Sequence, residues 1–368
     1  MKATAHRPVV IAAGGTGGHF YPAEALAAEL LQRGERVVLL TDARSGGLAS
    51  SVFAHTERHV VSGAGLSGRG LKRAMQGALA LARGVFEARR ILRDVRPAAV
   101  VAFGGYPSVP PVLAAASLFG ARPRVILHEQ NAVLGRANRF LARRADVLAL
   151  NFVNTKAVPK GIATQVVGNP VRPAIAALHG QGFVPPGERI EILVLGGSLG
   201  AKIFGTLLPE ALAGLPENLR ARLHVTQQCR MEEIEQARQI FKAVGIAVEL
   251  SPFFLDVAAL LAKAHLVVTR AGASSVAEIA AAGRPAIFIP LPGAIDDHQR
   301  ANAEALAASG AAIRLDQAGL TPAKLAETIE ILLMDSESLA KMAAASAAQG
   351  RVDAGAKLAD LVLEGALA

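Results

Sequence analysis

The sequence predicts an α/β protein made of two doubly wound parallel-sheet domains in tandem. Short runs rich in Val, Ile and Leu alternate with longer segments of helical periodicity, a pattern typical of successive βαβ units. The opening theme of strand, double glycine and helix recurs near residue 191, after the proline-punctuated stretches GNPVRP (168–173) and FVPPGER (183–189). A chain of 368 residues is long enough for two such domains, each with its own core.

In the first half, strands are predicted at VVIAA, RVVLLTD, AAVVAF and RVILHE. Helices are predicted at PAEALAAELLQRG, at the basic amphipathic segment 71–93 and at about 111–119. Residues 97–121 contain no charged side chain, which at that length is typical of a membrane span. We do not predict a span, because glycines interrupt the segment and the adjacent Pro110 and Pro111 are incompatible with a regular helix.

The second half repeats this organisation. Strands are predicted at EILVLGG, RLHVTQQ, VELSPF, HLVVTRAG and PAIFIPLP, with helical patterns between them, and the Ala-rich tail from about 338 to 365 is predicted to be helical. We therefore expect an N-terminal domain over 1–168, a C-terminal domain over 169–340, and a helix within 341–368 that packs back toward the N-terminal domain.

Composition limits the classes of partner and compartment. The formal net charge of +9 indicates an anionic partner, such as a phosphate-bearing ligand, an acidic membrane surface or a nucleic acid. No nucleic-acid partner is expected, since Trp is absent and the two Tyr offer no stacking platform for bases. The single cysteine, Cys229, excludes an intramolecular disulfide and fits a reducing compartment. The N-terminal apolar run is too short for a secretory signal.

Three glycine-rich turns follow predicted strands: GGTGGH at 14–19, FGGYPS at 103–108 and LGGSLGA at 195–201. Bare backbone amides at a helix N-terminus can approach a phosphate closely, and the helix dipole favours its charge. A tight turn without a ligand is the alternative for any one of them. Neither GGTGGH nor GGSLGA is a P-loop or a G-x-G-x-x-G motif, although Asp42 after the second strand resembles the ribose-binding acid of a dinucleotide site.

Polar side chains crowd the same strand ends. His19 is a candidate general base, because its ordinary pKa of about 6.5 leaves the ring largely neutral near pH 7; the alternative is a residue that only hydrogen-bonds a loop. The four residues HEQN, at 128–131, close the fourth strand of the first half. The spacing of Ser275 and Glu278 fits either a helix capping box or a carboxylate that binds ribose hydroxyls. The run Asp296-Asp297-His298 is interpreted as a solvated loop and not as a metal site.

The segment 71–93 places Leu79 and Phe86 at helical spacing among the basic residues Lys72, Arg73 and Arg83. Such a helix either lies on an anionic membrane surface or covers the sheet, and different faces could do each.

Together, GGTGGHFYPA, FGGYPS, HEQN, GNPVR, LGGSLGA and RAGASSVAEIAAAGRPAIFIPLP, ending in DDHQRANA, strongly resemble the MurG family over about residues 8–330. The family transfers N-acetylglucosamine from UDP-GlcNAc to lipid I, giving lipid II for peptidoglycan. The resemblance implies a GT-B fold, in which two Rossmann-like domains face each other across a cleft. It also implies no metal or other cofactor, a peripheral position on the cytoplasmic face of the bacterial inner membrane, and contacts with other cell-wall synthesis and division proteins.

The resemblance assigns site residues in two groups. The donor contacts it implies are Thr16, Gly17, Gly18, Asn131, Arg172, Ser198, Phe254, Ser274, Ser275, Glu278 and Gln299. The acceptor contacts it implies are Gly14, Gly15, Gly104, Gly105 and Tyr106, beside the catalytic candidates His19 and Glu129. The sequence carries His298 where some relatives have glutamine.

Three other functions stay open at the level of sequence. A related glycosyltransferase could act on a different lipid or aglycone, because the donor half is less selective than the acceptor half. An NAD-dependent oxidoreductase would use the first glycine turn and Asp42. A non-catalytic membrane-binding module would use residues 71–93.

Overall fold

The computed structural model describes residues 7–15, 17–43, 50–62, 71–120, 122–197 and 200–364. The chain divides into two compact units, one formed by Met1–Arg172 together with Asp353–Ala368 and the other by Pro173–Val352. We call them unit 1 and unit 2.

Unit 1 is built on a parallel sheet of seven strands in the order β3-β2-β1-β4-β5-β6-β7. Its strands are β1 (Val9–Ala12), β2 (Val37–Thr41), β3 (Glu57–Val60), β4 (Ala99–Ala102), β5 (Arg124–Glu129), β6 (Val147–Leu150) and β7 (Thr164–Val166). Its helices are α1 (Gly17–Gln32), α2 (Leu71–Val95), α3 (Val109–Ala116), α4 (Arg136–Leu141) and, from the end of the chain, α14 (Ala354–Leu363).

The core of unit 1 has two layers, because successive strand residues face opposite sides of the sheet. Val9 and Ile11 of β1 pack on the side covered by α1 and α14, while Val10 packs on the side covered by α2. Both faces of the central strands are therefore apolar and buried, as expected for a parallel sheet covered by helices.

Unit 2 repeats the architecture with six parallel strands in the order β10-β9-β8-β11-β12-β13. Its strands are β8 (Ile190–Leu195), β9 (Leu223–Gln228), β10 (Ala247–Ser251), β11 (Leu266–Thr269), β12 (Ala286–Phe288) and β13 (Ala312–Arg314). Its helices are α5 (Pro173–Ala176), α6 (Leu207–Ala213), α7 (Glu217–Arg220), α8 (Ile234–Ala243), α9 (Val257–Lys263), α10 (Ala273–Ala282), α11 (His298–Ala307), α12 (Pro322–Met334) and α13 (Ser336–Gln349). The prediction of two Rossmann-like parallel-sheet domains is confirmed.

Pro110 and Pro111 are not excluded from a helix, and the expectation to the contrary is wrong. They lie in the first turn of α3, where the backbone N–H groups lack intrahelical partners, so a proline there removes no helical hydrogen bond. The helix accordingly begins at Val109 and ends at Ala116, earlier than the 111–119 expected. No helix within the described residues is both long and apolar enough to cross a membrane.

The Ala-rich tail forms two helices instead of one. Gly350 separates α13, which packs on α10 in unit 2, from α14, which packs on α1 in unit 1. A Cβ on Gly350 would lie 2.8 Å from the main-chain oxygen of Ala280, so glycine permits this close approach. In unit 1, Arg33, directly after α1, forms an ion pair with Asp360, and Arg124 donates a hydrogen bond to the main-chain oxygen of Leu361.

Candidate functional site

The strand order of unit 1 brings the predicted motifs of that unit together. β1 lies between β2 and β4, so the connections leave β1 and β4 in opposite directions, and such a switch point is where ligands bind in doubly wound sheets. GGTGGH follows β1, FGGYPS follows β4 and HEQN closes β5, three neighbouring strands with their carboxyl ends at one edge. This edge is the candidate acceptor site.

The first glycine turn is tied to the sheet by Asp42. The backbone N–H of Gly15 donates to Asp42 Oδ1 at 3.2 Å, and Asp42 is only 5% exposed. Gly15 has φ +84°, a conformation that favours glycine, and Gly17 and Gly18 begin α1. Asp42 therefore shapes the turn and is not presented to a ribose. Thr16 lies outside the described residues.

The second turn packs on the imidazole of His19. Gly104 and Gly105 have φ +82° and +69°, and Ser108 Oγ donates to the main-chain oxygen of Gly104 at 2.7 Å. A Cβ on Gly105 would lie 3.3 Å from His19 Cδ2 and 3.4 Å from Nε2, so the absence of a side chain lets the ring lie against the turn. Tyr106 follows and is 41% exposed.

Glu129 is enclosed by hydrogen-bond donors. Its Oε1 accepts from the main-chain N–H and the side-chain Nδ2 of Asn131, and its Oε2 accepts from the N–H of Gly135 and from Asn138 Nδ2, all at 2.8–3.0 Å. The side chain is buried. This arrangement holds the loop after β5, including Asn131, in one conformation.

The two other polar residues of HEQN lie on the opposite side of the strand from Glu129. Gln130 Oε1 is 3.3 Å from His19 Nδ1, and Gln130 Nε2 donates to the main-chain oxygen of Phe103 at 2.9 Å. His128 lies behind Gln130 and is fully buried. Neither His128 nor Gln130 was predicted to have a role, although the two-residue period of a strand places them on one face.

In unit 2 the same switch point falls between β8 and β11. The double glycine 196–197 follows β8, and a Cβ on Gly196 would lie 2.4 Å from the main-chain N of Ala201. The prediction that this turn leads directly into a helix is wrong, because a 3₁₀ turn, Lys202–Gly205, precedes α6. Ser198 lies outside the described residues.

Gln228 at the end of β9 fixes this turn and was not predicted. Its Oε1 accepts from the N–H of Gly196 at 3.0 Å, and its Nε2 donates to the main-chain oxygens of Gly197 and Pro252, both at 3.1 Å. Pro252 begins the loop that carries the half-buried Phe254. One amide therefore joins two of the loops predicted to contact the nucleotide.

The capping-box interpretation of Ser275 and Glu278 is wrong. Helix α10 has Gly272 at its N-cap, so Ser274 and Ser275 lie within its first turn and Glu278 within its second. Glu278 is nevertheless buried at the end of unit 2 that carries the glycine turn, and the first-turn amides of α10 have no intrahelical acceptors.

The comparisons with known proteins identify this arrangement. Residues 9–149 match the N-terminal domain of glycosyltransferase family 28, and residues 191–358 match its C-terminal domain. The chain is 58% identical over 363 residues to the UDP-N-acetylglucosamine--N-acetylmuramyl-(pentapeptide) pyrophosphoryl-undecaprenol N-acetylglucosamine transferase of Acidiphilium cryptum, covering 99% of this chain and 98% of that protein. It is 56% identical over 360 residues to the protein of the same name from Granulibacter bethesdensis, covering 97% and 94%.

The chain belongs to the MurG family. The crystal structure of Acinetobacter baumannii MurG superposes with a TM-score of 0.76 at 32% identity, covering 97% of this chain and 99% of that one. The predictions of a GT-B glycosyltransferase are thereby confirmed. The alternative predictions of an oxidoreductase and of a non-catalytic membrane-binding module are wrong. An oxidoreductase would use Asp42 to bind a ribose, but Asp42 accepts a hydrogen bond from the N–H of Gly15 and shapes the glycine turn.

The predicted donor contact Gln299 of this MurG-family chain and its neighbour His298 are held by main-chain atoms. Gln299 Oε1 accepts from the N–H of Leu291 at 3.0 Å, and His298 Nδ1 lies 2.7 Å from the main-chain oxygen of Ile295. Both bonds brace the loop between β12 and α11. The described residues, which include Asp296 and Asp297, contain no group of three or more His, Cys, Asp or Glu that could hold a metal.

Arg172 stacks on an aromatic ring that sequence reasoning missed. Its guanidinium carbon lies 5.1 Å from the ring centroid of Tyr21 on α1, a cation–π geometry that orients the guanidinium. Tyr21 is two residues beyond His19, and only the arrangement in space reveals the pairing.

The predicted membrane helix has two different faces. Ala88 and Leu92 of α2 are buried in the core, so the helix does cover the sheet. Leu79 and Phe86 are 68% and 73% exposed, on the other face. Arg83 is exposed there and pairs with Glu87 at 2.9 Å. The side chains of Lys72 and Arg73 lie outside the described part of the helix.

Proposed function

We propose that this chain is an inverting transferase that moves N-acetylglucosamine from UDP-GlcNAc to the muramyl 4-hydroxyl of undecaprenyl-pyrophosphoryl-MurNAc-pentapeptide, lipid I. The product is lipid II, used in peptidoglycan synthesis and therefore in cell-wall growth, cell shape and division. The observation that carries the proposal is the 58% identity, over nearly the whole chain, to a relative that bears this activity as its name.

Unit 2 binds most of the donor. The diphosphate lies at the turn after β8, where the N–H of Gly197 donates to its oxygens, Ser198 is the assigned side-chain contact, and Arg172 adds a positive charge. Glu278 accepts hydrogen bonds from the two ribose hydroxyls, and the backbone at Phe254 contacts the uracil. The N-terminal turn of α10 places Ser274 and Ser275 near phosphate and sugar, with Gln299 completing the donor contacts.

Unit 1 binds the acceptor pyrophosphate. The turns that contain Gly14, Gly15, Gly104 and Gly105 form its site, with Tyr106 at the edge, while Thr16, Gly17, Gly18 and Asn131 are assigned to the donor. Positive φ at Gly104 and Gly105 supports this assignment, because glycine turns present backbone N–H groups to an anion, while the N–H of Gly15 is held by Asp42 and shapes the first turn.

His19 is the base that we propose. Its neutral imidazole takes the proton of the 4-hydroxyl as that oxygen attacks the anomeric carbon from the face opposite UDP. The bond from the anomeric carbon to the phosphate oxygen breaks, and its electron pair leaves with UDP, so the new linkage is β. Arg172 and the amides after β8 stabilise the charge that develops on the leaving diphosphate.

Glu129, the other candidate, suits a structural role better. Four N–H donors already occupy its two oxygens, so taking a proton would first require breaking one of these bonds. We assign it to holding Asn131 and the loop after β5.

The exposed face of α2 attaches the protein to an anionic membrane. Leu79 and Phe86 insert into the lipid interface, and the basic residues Lys72, Arg73 and Arg83 contact acidic headgroups. A peripheral position on the cytoplasmic face of the plasma membrane gives access to lipid I and to other cell-wall synthesis and division proteins.

Vesicle binding tests this attachment. Replacing Leu79 and Phe86 by serine is expected to abolish sedimentation with phosphatidylglycerol vesicles. Replacing Ile331 and Met334 by serine is the matched control, because those side chains are 62% and 65% exposed but lie on unit 2. Equal loss of binding in both double variants would contradict the assignment to α2.

The transfer reaction is tested with radiolabelled UDP-GlcNAc and a lipid I analogue. Label is expected in the lipid only when the analogue is present, and Glu278→Gln is expected to raise the KM for UDP-GlcNAc. Glu304→Gln, at an exposed carboxylate of α11, serves as the control. Donor binding without transfer to the analogue would favour a glycosyltransferase with another acceptor.

A further inference from the structure

A buried chain of hydrogen bonds runs from the main chain of Gly168 to the imidazole of His19. Its links are His128 Nε2 to the oxygen of Gly168 (2.9 Å), Gln130 Nε2 to His128 Nδ1 (3.2 Å) and His19 Nδ1 to Gln130 Oε1 (3.3 Å). A side branch joins Gln130 Nε2 to the oxygen of Phe103 at 2.9 Å. His128 and Gln130 are 0% and 1% exposed.

The direction of this chain is fixed by its two carbonyl ends, because a carbonyl oxygen can only accept. At Gly168, the hydrogen of His128 must therefore be on Nε2. Burial lowers the pKa of His128 to about 4, so the ring is neutral at physiological pH and its Nδ1 is an acceptor. That acceptor faces the amide nitrogen of Gln130.

The orientation of the Gln130 amide follows from the same argument. Its nitrogen has two hydrogens and two acceptors, the oxygen of Phe103 and Nδ1 of His128. The flipped amide would place Oε1 against both of these acceptors, so it is excluded. Oε1 consequently faces His19, and an oxygen at that place can only accept.

His19 must therefore carry a hydrogen on Nδ1. With the hydrogen on Nε2 instead, the lone pair of Nδ1 would face the oxygen of the buried Gln130, and the two acceptors would repel each other. Gly105 lies against the edge of the ring that carries Nε2. Neutral imidazole by itself prefers the opposite tautomer, with hydrogen on Nε2.

We infer that Gln130, itself oriented by Phe103 and His128, is a positioning residue that holds His19 in the Nδ1–H tautomer and so makes Nε2 the proton acceptor. The inference rests on the proposed role of His19 as the base in sugar transfer. The chain of bonds performs the task that the buried aspartate performs in serine proteases, but with a neutral amide.

The partner of the imidazole is neutral. A carboxylate in that place would favour the charged form of the ring, whereas an amide oxygen selects the tautomer without adding a full charge.

The test is nitrogen NMR on protein labelled with ¹⁵N-histidine, with the His19 signals assigned by their loss in His19→Ala. The wild type is expected to show hydrogen on Nδ1 and none on Nε2. Gln130→Met keeps the length of the side chain but removes the acceptor, and is expected to shift His19 toward the Nε2–H tautomer. Hydrogen on Nε2 in the wild type, or an unchanged tautomer in Gln130→Met, would overturn the inference.

Kinetics give the functional readout. Gln130→Met is expected to lower kcat by roughly 10- to 100-fold, a part of the roughly 100- to 10,000-fold that a general base contributes, without raising the KM for UDP-GlcNAc. His128→Asn retains an acceptor for the Gln130 amide and should preserve the tautomer. Asn151→Ala is the matched control, since Asn151 Nδ2 donates only to the main-chain oxygen of Gln130.

The two readouts separate this inference from the proposed function. A tautomer shift with unchanged kcat would retain the chain of bonds but overturn its part in catalysis, together with the base role of His19. The expected NMR results in a protein that does not glycosylate lipid I would support the tautomer assignment while the proposed function failed.

Discussion

Replacing Gly105 by alanine is expected to lower both stability and turnover, for separable reasons. The backbone at Gly105 has φ +69° and ψ 178°, a region that is essentially restricted to glycine, and an alanine forced into it costs about 1–3 kcal/mol. The added Cβ would also lie 3.3 Å from His19 Cδ2 and 3.4 Å from Nε2, closer than such contacts normally are. The imidazole must then move by a fraction of an ångström.

The size of the kinetic effect follows from that displacement. Since a misplacement of about 1 Å can cost 100-fold in rate, a shift of a few tenths of an ångström should lower kcat roughly 3- to 10-fold. The matched control is Gly34→Ala, where φ is +82° but no atom lies within 4 Å of the new Cβ. Gly34→Ala is expected to lose about 1 kcal/mol of stability and no activity.

Urea unfolding and steady-state kinetics measure the two effects on the same preparations. A Gly105→Ala variant with wild-type kcat would refute the proposed dependence on the position of His19. An equal loss of kcat in Gly34→Ala would assign the effect to general destabilisation.

Three further predictions concern packing and ionisation. Gly84→Ala would place a Cβ 1.9 Å from the main-chain oxygen of Ser62 and should destabilise unit 1 by about 3 kcal/mol, whereas Gly187→Ala, with open space around it, should change the free energy of unfolding by less than about 1 kcal/mol. Burial raises the pKa of the Cys229 thiol to about 11, so at pH 8 only about one molecule in 1,000 carries Cys229 as the thiolate. Iodoacetamide should therefore label the single cysteine in urea and almost none of it in the native protein. Burial likewise lowers the pKa of His128 from 6.5 to about 4, so between these pH values the unfolded state binds one proton more than the native state. The free energy of unfolding should therefore fall by about 3 kcal/mol as pH falls from 6.5 to 4. Urea unfolding across that range should show that His128→Asn removes this part of the pH dependence.

The fold and the location of the site could largely be predicted from local sequence. Buried strands of a parallel sheet are continuous apolar runs, and β5 was predicted with the bounds that the structure gives, Arg124–Glu129. Strands β3, β6, β7 and β13 were not predicted. For the edge strands β3 and β7 the reason is that ERHV and TQV have neither an apolar run nor clear alternation, and each pairs on one side only.

The roles of individual site residues depend on tertiary contacts that local patterns do not encode. The capping-box pattern at Ser275 was misleading because the helix begins at Ala273. The four donors around Glu129 include Gly135 and Asn138, which come from the following loop and helix. Strand periodicity indicates which of two neighbouring polar residues faces the site. The atom of Gln130 that faces His19 follows only from the hydrogen bond between Gln130 Nε2 and the main-chain oxygen of Phe103, which local sequence does not reveal.

The most direct test of the account is a single-turnover transfer experiment with two lipid I analogues, one normal and one lacking only the muramyl 4-hydroxyl. The account predicts that the purified protein transfers N-acetylglucosamine from UDP-GlcNAc to the first analogue with a β-linkage, and none to the second. Equal labelling of both analogues, or an α-linkage in the product, would contradict it.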